Sequence, residues 1–111
     1  MSGCLFCNIA SGKTPAQILL ENAHVVAFSD IRPVAPTHAL VVPKAHVTGV
    51  SEADAETLGR VLSAAREVAG TLGLESGGYR LVINEGAAAG QSVFHLHCHV
   101  LGGRPLAWPP G

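Results

Sequence analysis

Apolar positions along the 111-residue chain come in short periodic segments, and proline and glycine fall between them as punctuation, without repeats or low-complexity tracts. The stretch "CLFCNIASGK" reads as a helix of two turns ending near Gly12. "QILLENAHVVAFSD" reads as two strands around a turn at Glu21 to Ala23, and "HALVVP" as a third strand stopped by Pro43. The one long helical pattern is "SEADAETLGRVLSAAREVAGTLGL". There Ser51 and Asp54 have capping-box spacing, Leu58, Val61, Leu62, Ala65, Ala69 and Leu72 recur at helical intervals, and Gly73 is the stop. "YRLVIN" and "FHLHCHVL" supply a fourth and a fifth strand. Short strands joined by tight turns around a single long helix predict an α+β fold: a five-stranded antiparallel sheet with that helix on one face and a short N-terminal helix.

The length fits one domain over residues 1–111. Hydrophobic residues make up 48% and charged residues 14%, with a formal net charge of −1, so the surface is sparing in charge and suited to partial cover by a partner. That balance argues against nucleic acid and anionic membrane as partners. No apolar run reaches the roughly 20 residues of a membrane span, and the N-terminus lacks a signal-peptide layout, which makes the cytoplasm the expected location. The three cysteines form no disulfide framework. Cys4 and Cys7 are spaced C-x-x-C, which in a reducing compartment suits metal or redox chemistry, or a pair of small core residues.

Three of the six histidines fall at alternate positions of "HLHCHVLGG". On a strand, His95, His97 and His99 share one face about 7 Å apart, while Leu96, Cys98 and Val100 face the core. Such a row is a set of solvated surface groups, a metal site or a nucleophile with helpers. H-x-H is a workable pair of zinc ligands, but the segment brings no carboxylate. Upstream, "NEGAAAGQS" delivers Asn84 and Ser92, and Gly86 and Gly90 would let backbone N–H groups approach an anion, which suits phosphate. Two imidazolium rings about 7 Å apart repel by roughly 2.4 kcal/mol at an effective dielectric near 20. The central ring feels both neighbours, so His97 is the one expected to stay neutral and attack, with a flanking ring carrying a proton for the leaving group.

These residues resemble the His-x-His-x-His motif of the histidine triad superfamily. The likeness extends through "CLFCNIASG", "FSDIRPVAPTHALVVPKAH", "GYRLVINEG", "GQSVFHLHCHVLGGR" and "WPPG", and the last two stretches point to its Hint branch. The resemblance implies a HIT-like fold and a homodimer that binds purine nucleotides and hydrolyses nucleoside phosphoramidates. It implies that His97 attacks phosphorus to form a nucleotidyl-histidine, that His99 contacts phosphate or leaving group, and that His38 assists the proton relay. Asn84, Gly90 and Ser92 match phosphate and leaving-group contacts, Asp30 the carboxylate that binds the ribose hydroxyls, and Phe6, Ile9, Phe28, Ile31 and Leu40 the base pocket. Strand parity agrees, since Phe28 and Asp30 share a face, as do His38 and Leu40. Trp108 is expected to cross toward the partner's active site.

Some members with an N-terminal C-x-x-C bind a structural zinc, and the matching positions here are Cys4, Cys7, His46 and His95, an S2N2 set suited to tetrahedral zinc. No cofactor is implied for the chemistry itself. Departures from the family pattern are "GAAAG", Thr14 and Cys98, which bear on substrate preference more than on reaction type. Two other readings stand beside the hydrolase: a nucleotide sensor or scaffold with incidental turnover, and a zinc-dependent hydrolase that uses the triad as ligands.

Overall fold

The computed structural model describes residues 3–111. Two helices, α1 (Leu5–Ala10) and α2 (Ala55–Thr71), accompany five strands: β1 (Ile18–Glu21), β2 (Val25–Ser29), β3 (Thr37–Pro43), β4 (Tyr79–Val82) and β5 (Cys98–Gly102). The strands form one sheet in the order β1-β2-β3-β5-β4, antiparallel throughout. This is the α+β architecture expected from the segment pattern. Among the described residues, no helix is long and apolar enough to cross a membrane.

Side-chain alternation along the strands divides the apolar residues between two faces. Val25, Ala27, Ala39, Val41, Cys98 and Val100 pack with Val61, Ala64, Ala65, Val68 and Ala69 of α2. On the opposite face Val26, Phe28, Leu40 and Val42 pack with Phe6 and Ile9 of α1. The long helix therefore supports one side of the sheet and leaves the other for α1 and the histidines. Helix α1 has six residues, too few to be stable alone, so contacts with the sheet must hold it.

Several boundaries differ from the sequence expectation. Helix α2 starts at Ala55, capped by Asp54, whose carboxylate accepts the Thr57 N–H at 2.7 Å. Ser51 instead lies in a separate turn, donating its N–H and hydroxyl to the Glu85 carboxylate, because that loop must meet the segment after β4. The apolar stripe is centred on Val61, Ala65 and Val68, which puts Leu62 at its margin and 44% exposed. The fifth strand begins at Cys98, four residues after Phe94. Ahead of it the chain bridges to another loop, with the Leu96 N–H donated to the Val47 carbonyl at 2.7 Å.

Candidate active site

Parity survives that irregular start: Leu96, Cys98 and Val100 are buried on the α2 side, while His97 and His99 project to the other face. Their rings lie 5.0 Å apart, centre to centre. Leu40 of β3 pairs with His99 and with Phe28 of β2. His38, two residues before Leu40, brings Nε2 to 2.9 Å from His99 Nδ1 and 3.3 Å from Asp30 Oδ2. Asp30, His38, His97 and His99 therefore form one group, as parity predicts. His95 turns away and joins Cys4, Cys7 and His46.

Hydrogen bonds fix the tautomers in the first group. A carbonyl can only accept, so the 2.8 Å contact of His97 Nδ1 with the His95 carbonyl means that Nδ1 carries the proton. The lone pair of neutral His97 is then on Nε2. The Val34 N–H donates to His38 Nδ1 at 3.1 Å, which leaves the His38 proton on Nε2. That proton is shared between His99 Nδ1 and Asp30, and His99 keeps its own proton on Nε2, on the far edge of its ring.

Charge is not distributed as the sequence suggested. Burial, reinforced by the His97 and His38 rings, pushes His99 down to about 4. Burial also lowers His38, with the Asp30 carboxylate opposing it. The flanking ring expected to carry a proton is thus neutral in the resting protein, because the site removes the water that would solvate its charge. Cys98, wholly buried beneath the row, is pushed up to about 11 by burial and is an inert core thiol.

In the second group the donor atoms of Cys4, Cys7, His46 and His95 all lie within 4.8 Å of one another. His95 Nε2–H donates to the Pro43 carbonyl at 2.7 Å, which directs the Nδ1 lone pair at the cysteines. The two Nδ1 atoms stand 3.2 Å apart, and sulfur–nitrogen distances are 3.3 Å (Cys7–His46), 3.4 Å (Cys4–His95) and 3.5 Å (Cys7–His95). A tetrahedron with metal–nitrogen bonds of about 2.05 Å and metal–sulfur bonds of about 2.3 Å has edges of about 3.3 and 3.6 Å. The donor set and its spacing fit a zinc-sized ion. His95, His97 and His99 share no such convergence, so the triad is not a common ligand set.

The remaining predicted residues fall in different places. Phe6, Ile9, Phe28 and Leu40 are buried together, and Phe6 is in edge contact with Phe28. Ile31, by contrast, is 90% exposed. Ser92 is exposed and lines an open cleft of about 550 Å³ with Cys4, His46, Thr48 and Phe94. Asn84 lies half-buried at the end of β4, its amide beside Gly90. The loop does not offer the glycine N–H groups to an anion: Gly86 N–H donates to Gln91 Oε1 and Gly90 N–H to the Ala87 carbonyl. The glycines serve the backbone instead, with φ of 88° and 101°.

Three features escaped sequence reasoning. Buried Gln91 ties the loop to the Thr48 carbonyl, the Val34 N–H sets the His38 tautomer, and Arg80 holds the C-terminal tail through the Ala107 carbonyl beneath Trp108. Only Gln91 leaves a trace in the sequence, as an uncharged polar residue immediately after a glycine. Trp108 itself is 80% exposed.

Comparison with known proteins agrees with this arrangement. The HIT domain pattern matches residues 11–106. An uncharacterized HIT-like protein of Synechocystis sp. is 47% identical over 110 residues, 96% of each chain. A HIT family hydrolase from Legionella pneumophila superposes with a TM-score of 0.95 at 46% identity, over 98% of this chain and 100% of that one. A histidine triad nucleotide-binding protein from Candida albicans gives a TM-score of 0.85 at 30% identity, over 96% and 83%. With the pattern spanning most of its length and a relative matched over nearly all of it, the chain belongs to the HIT domain family.

Proposed function

We propose that the protein is a hydrolase of the Hint type that cleaves the P–N bond of purine nucleoside phosphoramidates, giving a nucleoside monophosphate and an amine. The observation that carries this reading is the Nδ1–H of His97 held on the His95 carbonyl, which leaves Nε2 as a free nucleophile. His97 Nε2 forms a bond to phosphorus as the P–N bond breaks. His99, neutral at rest, takes up a second proton as the anionic phosphate binds beside it; the departing nitrogen takes that proton and His99 returns to its neutral form. Water then attacks phosphorus, returns a proton to His99 and frees His97. His38 keeps His99 in the required tautomer, Asp30 meets the ribose hydroxyls, and Asn84 and Ser92 contact phosphate and leaving group. Phe6, Ile9, Phe28, Ile31 and Leu40 take the base, with Ile31 exposed at its mouth and Gly90 shaping the loop.

The hydrolase description of the Legionella neighbour supports turnover over a pure sensor or scaffold, and the nucleotide-binding description of the Candida one supports a nucleotide as the substrate. Cys4, Cys7, His46 and His95 would hold structural zinc, which would supply cross-linking and no reaction step. β4 has a neighbour on one side only, and that edge suits pairing with a second copy, bringing Trp108 toward the partner's site. The test is to mix enzyme with a slow adenosine phosphoramidate in the presence of chelator, quench, and look by mass spectrometry for a nucleotidyl adduct. An adduct on the His97 peptide is expected. Turnover without any adduct, wholly dependent on added zinc, would overturn the reading in favour of metal hydrolysis.

A further inference from the structure

We infer that the Cys4, Cys7, His46 and His95 centre positions the nucleophile, with His95 and Phe6 as the positioning residues that carry its geometry to His97. This rests on the reading of His97 as nucleophile, although the deciding measurement needs no turnover. Two separate contacts lead from one group to the other.

The first runs through a single residue. The His95 ring is held at both nitrogens, Nδ1 among the donor atoms and Nε2–H on the Pro43 carbonyl at 2.7 Å. The same residue's carbonyl accepts the Nδ1 proton of His97 at 2.8 Å. Fixing the His95 side chain therefore fixes the acceptor that decides which nitrogen of His97 is free.

The second runs through α1. Phe6 stands between the two cysteines in sequence, and its ring meets His97 edge-on at 5.0 Å and His95 at 6.0 Å. A six-residue helix cannot hold that ring in place by its own hydrogen bonds. Its cap is itself a donor of the cluster, Cys4 Sγ accepting the Cys7 N–H at 3.4 Å. An ion held by Cys4 and Cys7 thus fixes the wall against which His97 rests. Without it, the acceptor and the wall both loosen, and His97 gains access to the Nε2–H tautomer, which has no lone pair to offer phosphorus.

The experiment compares zinc-loaded, chelator-treated and zinc-restored protein by nitrogen-15 NMR of the histidine side chains, in which the two neutral tautomers differ in shift. Loaded protein should show one His97 species, protonated on Nδ1. Zinc depletion should split or broaden that signal toward the Nε2–H form, lower kcat about tenfold and leave KM within about twofold, since a small misplacement of a reacting group acts on kcat. Re-addition of zinc should restore both. Should chelation unfold the domain, as read by circular dichroism, His46→Asn gives the same comparison in folded protein, because it removes one ligand from a loop. A folded, zinc-depleted chain whose His97 keeps the same tautomer and shift overturns the inference. If His97→Ala retains turnover, the catalytic reading fails instead, and the NMR comparison still decides the coupling.

Discussion

In the group of Cys4, Cys7, His46 and His95, two Nδ1 atoms face each other at 3.2 Å. In the group of Asp30, His38, His97 and His99, each close ring nitrogen faces a partner of opposite hydrogen-bonding character. The Pro43 carbonyl leaves His95 Nδ1 as an acceptor aimed at two sulfurs and a second imidazole nitrogen, a convergence that a cation can satisfy, whereas alternating donors and acceptors are satisfied as they stand. Asp30, His38 and His99 are also close enough to hold an ion. The Val34 N–H on His38 Nδ1 argues against it, because neutral His38 then has a proton, and no lone pair, on Nε2. Proximity of histidines does not distinguish metal binding from proton handling; the backbone groups behind the rings do.

The largest expected effect separates the two groups by function. His97→Ala should lower kcat by more than about 10³-fold, as loss of a nucleophile does, while leaving metal content and nucleotide binding intact. Cys7→Ser should act chiefly on the metal: metal analysis finds less than one ion per chain, the thermal midpoint falls by about 10 °C, corresponding to a loss of ~2 kcal/mol, and kcat falls only about tenfold. If His97→Ala loses its metal, or Cys7→Ser keeps a full complement, the division between the groups is wrong.

A smaller effect tests the alternation within the catalytic group. His38→Ala removes the donor that holds His99 Nδ1 and should cost about 10²-fold in kcat, with a lesser effect on KM. A loss confined to KM, measured by steady-state kinetics, would make His38 a binding group and not a tautomer lock.

The sequence carried the side-chain half of this comparison and little of the backbone half. Alternation along β2 and β3 placed Asp30 with Phe28 and His38 with Leu40, and the structure brings all four to one face or its edge. The convergence of Cys4, Cys7, His46 and His95 was legible only through family resemblance, since Cys4 and His95 are 91 residues apart. The Pro43 carbonyl behind His95 and the Val34 N–H behind His38 are groups every such residue has, and only the folded path of the chain brings them to a ring. For the same reason the loop at Gly86 to Gln91 looked like an anion cradle: glycine spacing shows freedom of the backbone, not which acceptors its N–H groups have already found. Strand spacing alone put a charge on a flanking ring, and it could not show the burial that lowers His99.

The smallest effect concerns that burial. A histidine held near 4 in the folded chain, against about 6.5 when unfolded, binds fewer protons folded than unfolded between those values, so stability rises with pH across that window. Acidification from 6.5 toward 4 should lower the thermal midpoint progressively, and below 4 His99 adds nothing more. His38 is shifted in the same direction by burial and adds to the slope. His99→Gln removes one of these titrations, and the new amide oxygen can still accept the His38 Nε2–H. Its plot of midpoint against pH should therefore be shallower between 6.5 and 4 than that of the parent, with the two curves parallel above pH 7. The comparison is made at saturating zinc, starting near pH 6 and extended downward with metal content measured at each point. If the variant's slope equals the parent's, burial of His99 is not what makes the catalytic group sensitive to acid.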